Sequence, residues 1–293
     1  MKKKTIYIII LIIILGIINI KIQHSQEKDL SISQVKGVLN MSHIENIKHI
    51  LKINKVLPQP GLKTIDNLLM TAKEPVGKTM YVWGGGWNEE DTGAGDEPVS
   101  IGISQRWVEF ANMQEKTYNY KNTSYQIHDG LDCSGYLGWV IYNVMNNTNN
   151  QGGYVMSSSI MAKTFAAYGW GDYISSKMVH DWKAGDVMSM EGHTWISLGM
   201  CEDGSVVLFH SSPPGVRISG TKLCNNEKSQ AVELAEKYMK KYYPKWYERY
   251  PECAVDYNYL TTSHQMRWNE KTLTDDNHLK QKNAEEILRF LYD

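Results

Sequence analysis

Apolar residues fill almost every position from Ile6 to Ile18, interrupted only by Gly16, and no other stretch of the chain is apolar for so long. Lys2, Lys3 and Lys4 precede the run, the arrangement of a signal peptide or of an anchor whose lysines stay inside. Residues 1–25 are therefore read as a signal peptide or membrane anchor. The run is short for a bilayer span, and no small-x-small cleavage site follows it, which favours the uncleaved form. Residues 26–61 are polar and rich in Lys, Ile and Asn, with helical spacing in Ile44, Ile47, Ile50 and Leu51 before Pro58 to Gly61. They read as a stalk or a short helix. Ile65, Leu68, Leu69 and Ala72 share one face of a helix over Thr64 to Lys73, which Pro75 ends.

Further along, Met80 to Trp83 predicts a short aromatic strand running into a glycine hinge at Gly84 to Gly86. Leu137, Val140, Ile141, Val144 and Met145 recur at helical spacing, so a helix begins near Cys133. Thr194, Ile196 and Leu198 alternate with His193, Trp195 and Ser197, the period of a strand. Glu202-Asp203-Gly204 then turns the chain back into Val206 to His210. A helix over Glu227 to Tyr242 and an aromatic amphipathic helix over Lys240 to Tyr250 follow.

Composition narrows the classes. Of 293 residues, 42% are hydrophobic and 11% aromatic, enough for a packed core. With 31 Lys+Arg against 32 Asp+Glu, the chain lacks the basic footprint of a nucleic-acid binder. Four cysteines with no CxxC pair exclude a disulfide scaffold and a common structural zinc pattern. In an exported protein Cys224 and Cys253 either pair or remain free thiols.

Cys133 carries the chemistry. Free N–H groups and the positive end of a helix dipole favour thiolate over thiol, so the spacing predicts a lowered pKa there. A nucleophile also needs a base, and His193 and His210 end adjacent predicted strands. The register raises a difficulty: a tight turn at Asp203-Gly204 sets His210 opposite Ser197, so bringing the imidazoles together demands a wider loop or a bulge. Ser211 and Ser212 are the alternative orienting residues.

Three motifs in fixed order give the chain a resemblance. They are Tyr81-Val82-Trp83-Gly84-Gly85, then Asp132-Cys133-Ser134-Gly135 with Trp139-Val140, then Gly185-Asp186-Val187 through Gly192-His193 to Gly199. Over residues 62 to 220 the chain resembles the NlpC-type family of cell-wall cysteine peptidases. The resemblance implies an α+β, papain-like domain whose nucleophile-bearing helix packs on a small antiparallel sheet. It implies Cys133 as nucleophile, His193 as base and His210 as orienting residue, with Tyr81, Asp132 and Ser134 lining the substrate site. It implies peptidoglycan or muropeptides as partners, cleavage between D-isoglutamate and the following diamino acid, and no metal or organic cofactor. The membrane is a partner through the N-terminal segment, with the catalytic domain outside the cell membrane or released to the wall. Another thiol acyl-transfer enzyme, such as an amidase or transpeptidase, and a non-catalytic wall-binding module are the alternatives.

The expected organisation is a catalytic domain over 62–223, interrupted by an insert at 87–130, and a C-terminal helical extension over 224–293. Both ends of the insert return to the cleft, so it is expected to wall the substrate groove and to favour short or free stem peptides over crosslinked wall. Asp91-Thr92-Gly93 follows Asn88, Glu89 and Glu90, not an apolar strand, and has no second copy, so it reads as an acidic loop and not as an aspartic-protease triplet. The acidic residues up to Glu97 miss EF-hand spacing.

Overall fold

The computed structural model describes residues 58–88, 93–145 and 153–293. The N-terminal apolar run, most of the stalk with its expected helix, and Asp91-Thr92 lie outside the described residues. Among the described residues no helix is long and apolar enough to cross a membrane.

Helix α1 spans Ile65–Lys73; its N-cap Thr64 accepts a hydrogen bond from the Asn67 N–H, and Ile65, Leu68, Leu69 and Ala72 are buried as their spacing predicts. The insert forms α2 (Gln105–Met113). Helix α3 (Cys133–Met145) follows, then α4 (Met161–Ala167). Strands β1 (Gly171–Ile174), β2 (Val187–Met190), β3 (His193–Met200), β4 (Val206–Ser212) and β5 (Gly215–Thr221) come next. The chain closes with α5 (Gln230–Tyr242), α6 (Pro244–Arg249), β6 (Ala254–Val255), α7 (Asn258–Thr262), β7 (His264–Trp268) and α8 (Ala284–Tyr292).

The strands form one seven-stranded sheet in the order β1-β7-β2-β3-β4-β5-β6. Every pair is antiparallel except β5 with β6. The architecture is α+β, with apolar residues packed on both faces of the sheet. On one face Ile196, Leu198, Val207, Phe209, Val216 and Ile218 share a core with Leu137, Val140, Ile141 and Val144 of α3. On the other, Met188, Trp195, Val206 and Leu208 pack with Val179, Val255 and Leu260. Two covered faces explain why the interior of β3 is buried throughout, although its sequence alternates.

Several expectations need correction. Met80 to Trp83 forms no regular strand; Met80 makes isolated bridges to Gly130 and Gly215 and the chain then turns. The segment after residue 223 is not a helical extension. It adds β6 to one end of the sheet and places β7 between β1 and β2, so the sheet is incomplete without it. The aromatic helix over 240–250 is divided: α5 stops at Tyr242 and α6 restarts at Pro244, a residue suited to a first turn. All four cysteines are free, Cys224 exposed and Cys253 buried.

The insert packs into the body. Trp107 is wholly buried and meets Trp139 of α3 edge to face, with ring centroids 5.8 Å apart. Arg249 donates to the Ala111 carbonyl at 3.1 Å, and the Tyr250 hydroxyl to that of Glu115 at 2.7 Å.

Candidate active site

Glycines set the position of Cys133. The Asp132 N–H donates to the Gly85 carbonyl at 2.9 Å, and Leu131 donates to Met80 at 3.2 Å, so the strand of chain before α3 lies on the glycine loop. A Cβ on Gly135 would stand 2.2 Å from the Gly85 oxygen and 3.0 Å from the Gly86 Cα, contacts that no side chain allows. The first turn of α3 thus presses backbone to backbone against Gly85 and Gly86. Asp132 caps that turn: its Oδ1 accepts from the Gly135 N–H at 2.7 Å and from the Ser134 hydroxyl at 2.8 Å. Ser134 Oγ in turn accepts from Trp87 Nε1 at 3.1 Å. Burial pushes the Asp132 carboxyl up to about 6 despite these donors. From the sheet side, the Ser211 hydroxyl donates to the Leu131 carbonyl at 2.7 Å. Ser211 therefore supports the nucleophile's loop, and the residue hydrogen-bonded to His193 is His210.

A bulge solves the register problem. The pairing of β3 with β4 shifts between Ser197 and Gly199, after which Ile196 pairs with Phe209. One step further along each strand sets His210 opposite Trp195 and leaves His193 diagonal to it on the same face. Diagonal neighbours lie within reach of long side chains. His193 Nε2 and His210 Nδ1 are 3.0 Å apart, and His210 Nε2 is 2.9 Å from Ser219 Oγ. With His210 donating to Ser219 and His193 donating to His210, the chain of bonds leaves His193 Nδ1 as a free lone pair. The opposite polarity would place a proton on that nitrogen and remove the base.

Two residues from outside the motifs complete the surroundings. Tyr259 of α7 meets both imidazoles, tilted against His193 with ring centroids 5.3 Å apart and edge to face with His210 at 6.2 Å. Arg217 pairs across the sheet with His210, is 5% exposed, and donates to the carbonyls of Ser212 (2.5 Å) and Gly215 (3.2 Å). Its Nε is buried with no hydrogen-bond partner. Burial, aided by the Arg217 charge, lowers His193 to about 3 and holds His210 well below its ordinary value.

Cys133 lies beside the backbone on both sides of His193. Its Sγ is 3.9 Å from the Gly192 carbonyl oxygen, and the Thr194 N–H also bonds it. The thiol makes no direct hydrogen bond to the imidazole. The expectation of a lowered thiol pKa is overturned: burial, reinforced by Asp132, pushes Cys133 up to about 12, although the N–H groups of Thr194, Ser134 and Cys133 itself pull the other way. Both shifts favour the uncharged forms, thiol and neutral imidazole.

The sulfur opens into a cavity of about 260 Å³ lined by Tyr81, Trp83, Trp87, Tyr125, Asp132, Ser134, Ser158 and Gly192. Tyr81 is held from behind, its carbonyl accepting from the Tyr118 hydroxyl at 2.6 Å and its ring meeting Tyr120 edge to face. The structure therefore joins His193 to His210, sets Cys133 against the backbone that flanks His193, and lines the cavity at the sulfur with Tyr81, Asp132 and Ser134. Ser219, Arg217 and Tyr259 escaped the sequence reading. Strand parity could have found the first two, since residues 217 and 219 share the face that meets His210; nothing in the sequence signals Tyr259. His128, outside the motifs, pairs with Glu97 at 2.8 Å. Among the described residues no group of three or more His, Cys, Asp or Glu could hold a metal. No family model matches the chain, and neither the curated proteins nor the solved structures contain a significant match to it.

Proposed function

We propose that the chain is an exported cysteine peptidase that hydrolyses peptidoglycan stem peptides, on a papain-like domain of the NlpC type, at the bond between D-isoglutamate and the next diamino acid. One observation carries the reading: the sulfur of a cysteine at a helix start lies against Gly192 and Thr194, the two backbone neighbours of His193, whose imidazole heads a hydrogen-bonded series through His210 to Ser219. This is the arrangement of a nucleophile, a base and an orienting group.

In this mechanism the sulfur attacks the amide carbon while its proton passes to His193 Nδ1. Transfer accompanies attack, because burial disfavours a standing thiolate. The Cys133 N–H and the Tyr81 hydroxyl, kept protonated by burial, face the developing oxyanion; one such donor is worth about 2.7–4 kcal/mol in a protease where it was measured. His193 returns the proton to the leaving amine as the C–N bond breaks. Water then adds to the thioester, releasing the carboxylate and restoring the thiol. Partner and place follow from the same reading: cell-wall peptides outside the membrane, with the N-terminal apolar run as anchor or signal.

The test is incubation of the full chain with purified muropeptides and mass analysis of the products. Hydrolysis at the isoglutamyl bond is expected, with loss of at least about a thousandfold in Cys133→Ala. Wild-type turnover in that variant, or transfer to an amine in place of water, would remove the proposal.

A further inference from the structure

Tyr125 is held against its backbone preference. Its φ is 62°, in the left-handed region that bulky side chains avoid. Its N–H donates to the Trp83 carbonyl at 2.7 Å, and its ring lies on Gly84, where a Cβ would come within 2.7 Å of Tyr125 Cδ1. Gly84 is itself left-handed, with φ 78°. A tyrosine in a left-handed conformation, seated on a glycine that can adopt that conformation freely, thus presents its ring 61% exposed. A ring placed for the core would be buried. This one stands at the rim of the Cys133 cavity beside Trp83, which is 50% exposed. Strain kept at the mouth of a cleft points to a ligand.

The lining indicates its chemistry. Among the described residues no Lys or Arg side chain borders the cavity, and the carboxyl among them that does, Asp132, is buried and bonded to Ser134 and Gly135. Hydroxyls of Tyr81, Ser134, Ser157 and Ser158 are present. We propose that Trp83 and Tyr125 form a subsite for a pyranose ring carried by the substrate next to the peptide under attack. A pyranose is amphipathic by face: its axial C–H groups cover an aromatic plate while its equatorial hydroxyls stay in water or meet serines. Half-exposed plates suit such a guest. An apolar side chain, whose gain scales with the area removed from water, would want them enclosed. The subsite rests on the peptidase reading for the polymer that supplies the sugar, not for the contact itself.

The experiment has two arms. In the first, the full chain carrying Cys133→Ala is titrated calorimetrically with a neutral β-1,4-linked N-acetylglucosamine oligosaccharide that bears no peptide. Saturable binding is expected, weakened by Tyr125→Gly and by Trp83→Ala. The glycine relieves the left-handed backbone, so its melting temperature should not fall. In the second, wild-type kcat/KM is compared for one stem peptide with and without its disaccharide. The sugar-bearing form is expected to be favoured by about fivefold to tenfold, on the scale of a good ring contact, and the ratio should approach one in Tyr125→Gly. Absence of oligosaccharide binding, or binding indifferent to both substitutions, overturns the subsite. Competition at the rings by a free-amine peptide and not by the sugar overturns it in favour of a cation site. Sugar binding that needs Tyr125, without cleavage of either peptide, sustains the subsite and removes the peptidase reading.

Discussion

Replacing Gly135 by Ala adds a single methyl group, and two considerations give its effect opposite signs. In an exposed helix Ala is about 1 kcal/mol better than Gly, so propensity alone expects Gly135→Ala to stabilise α3. The structure reverses this. The new Cβ would lie 2.2 Å from the Gly85 carbonyl oxygen, 3.0 Å from the Gly86 Cα and 3.1 Å from the Gly85 carbonyl carbon. All three are backbone atoms, so no side chain can swing aside. Reaching ordinary contact near 3.4 Å requires the loop and the helix to part by roughly 1 Å, and overpacking of this kind costs about 1–3 kcal/mol. Separation also lengthens the 2.9 Å bond from Asp132 N–H to the Gly85 carbonyl and moves the first turn that holds Cys133. Set against the propensity gain of about 1 kcal/mol, this leaves a net destabilisation of up to about 2 kcal/mol, read as a fall in melting temperature of roughly 2–4 °C per kcal/mol for a chain of this size. A 1 Å displacement of the nucleophile should lower kcat/KM on stem peptides by about a hundredfold. Gly93→Ala is the control: a Cβ there meets nothing within 4 Å, and its effect should stay within about 0.5 kcal/mol. A Gly135→Ala protein as stable as wild type, with full thiol reactivity and turnover, would refute the argument that close backbone approach positions Cys133.

With its pKa near 12, Cys133 should be about 0.01% thiolate at pH 8, against roughly a quarter for an ordinary thiol. Because the thiolate fraction rises with pH, iodoacetamide at pH 8 should modify exposed Cys224 about a thousandfold faster, as peptide mapping can follow; rapid Cys133 alkylation at pH 6 would reveal a standing thiolate–imidazolium pair instead. His210→Ala removes the acceptor of His193 and should lower kcat by about 10²–10⁴-fold with little change in KM, whereas Ser219→Ala, one bond further out, should cost about tenfold or less; equal losses would mean that the series does not act in that order. Trp107→Ala should destabilise the protein by about 3–5 kcal/mol in chemical denaturation, since Trp107 is wholly buried against Trp139; a near-neutral result would make the insert peripheral.

What the sequence determined alone is what short-range pattern encodes. The spacing of Leu137, Val140, Ile141 and Val144 makes a helix that begins at Cys133, because one helical face must be apolar to pack. Ile65, Leu68, Leu69 and Ala72 announce α1, and the alternation from His193 with the turn at Asp203-Gly204 announces β3 and β4. Even the conflict in register was legible, and it called for the bulge that lies between Ser197 and Gly199.

Partners were not legible. The strand that completes the sheet beside β2 is β7, whose residues stand far along the chain and whose pattern states a face but not a neighbour. Tyr259 reaches the imidazoles only because α7 lies between β6 and β7, and Ser219 meets His210 only because β5 pairs with β4 in one register. The direction of the Cys133 shift was likewise decided by tertiary structure. A helix start favours thiolate by a local field, but burial of the sulfur beside Asp132 opposes it with a desolvation cost that no local pattern records. Periodicity fixes what each segment presents, whereas the free energy of a buried charge depends on everything packed around it.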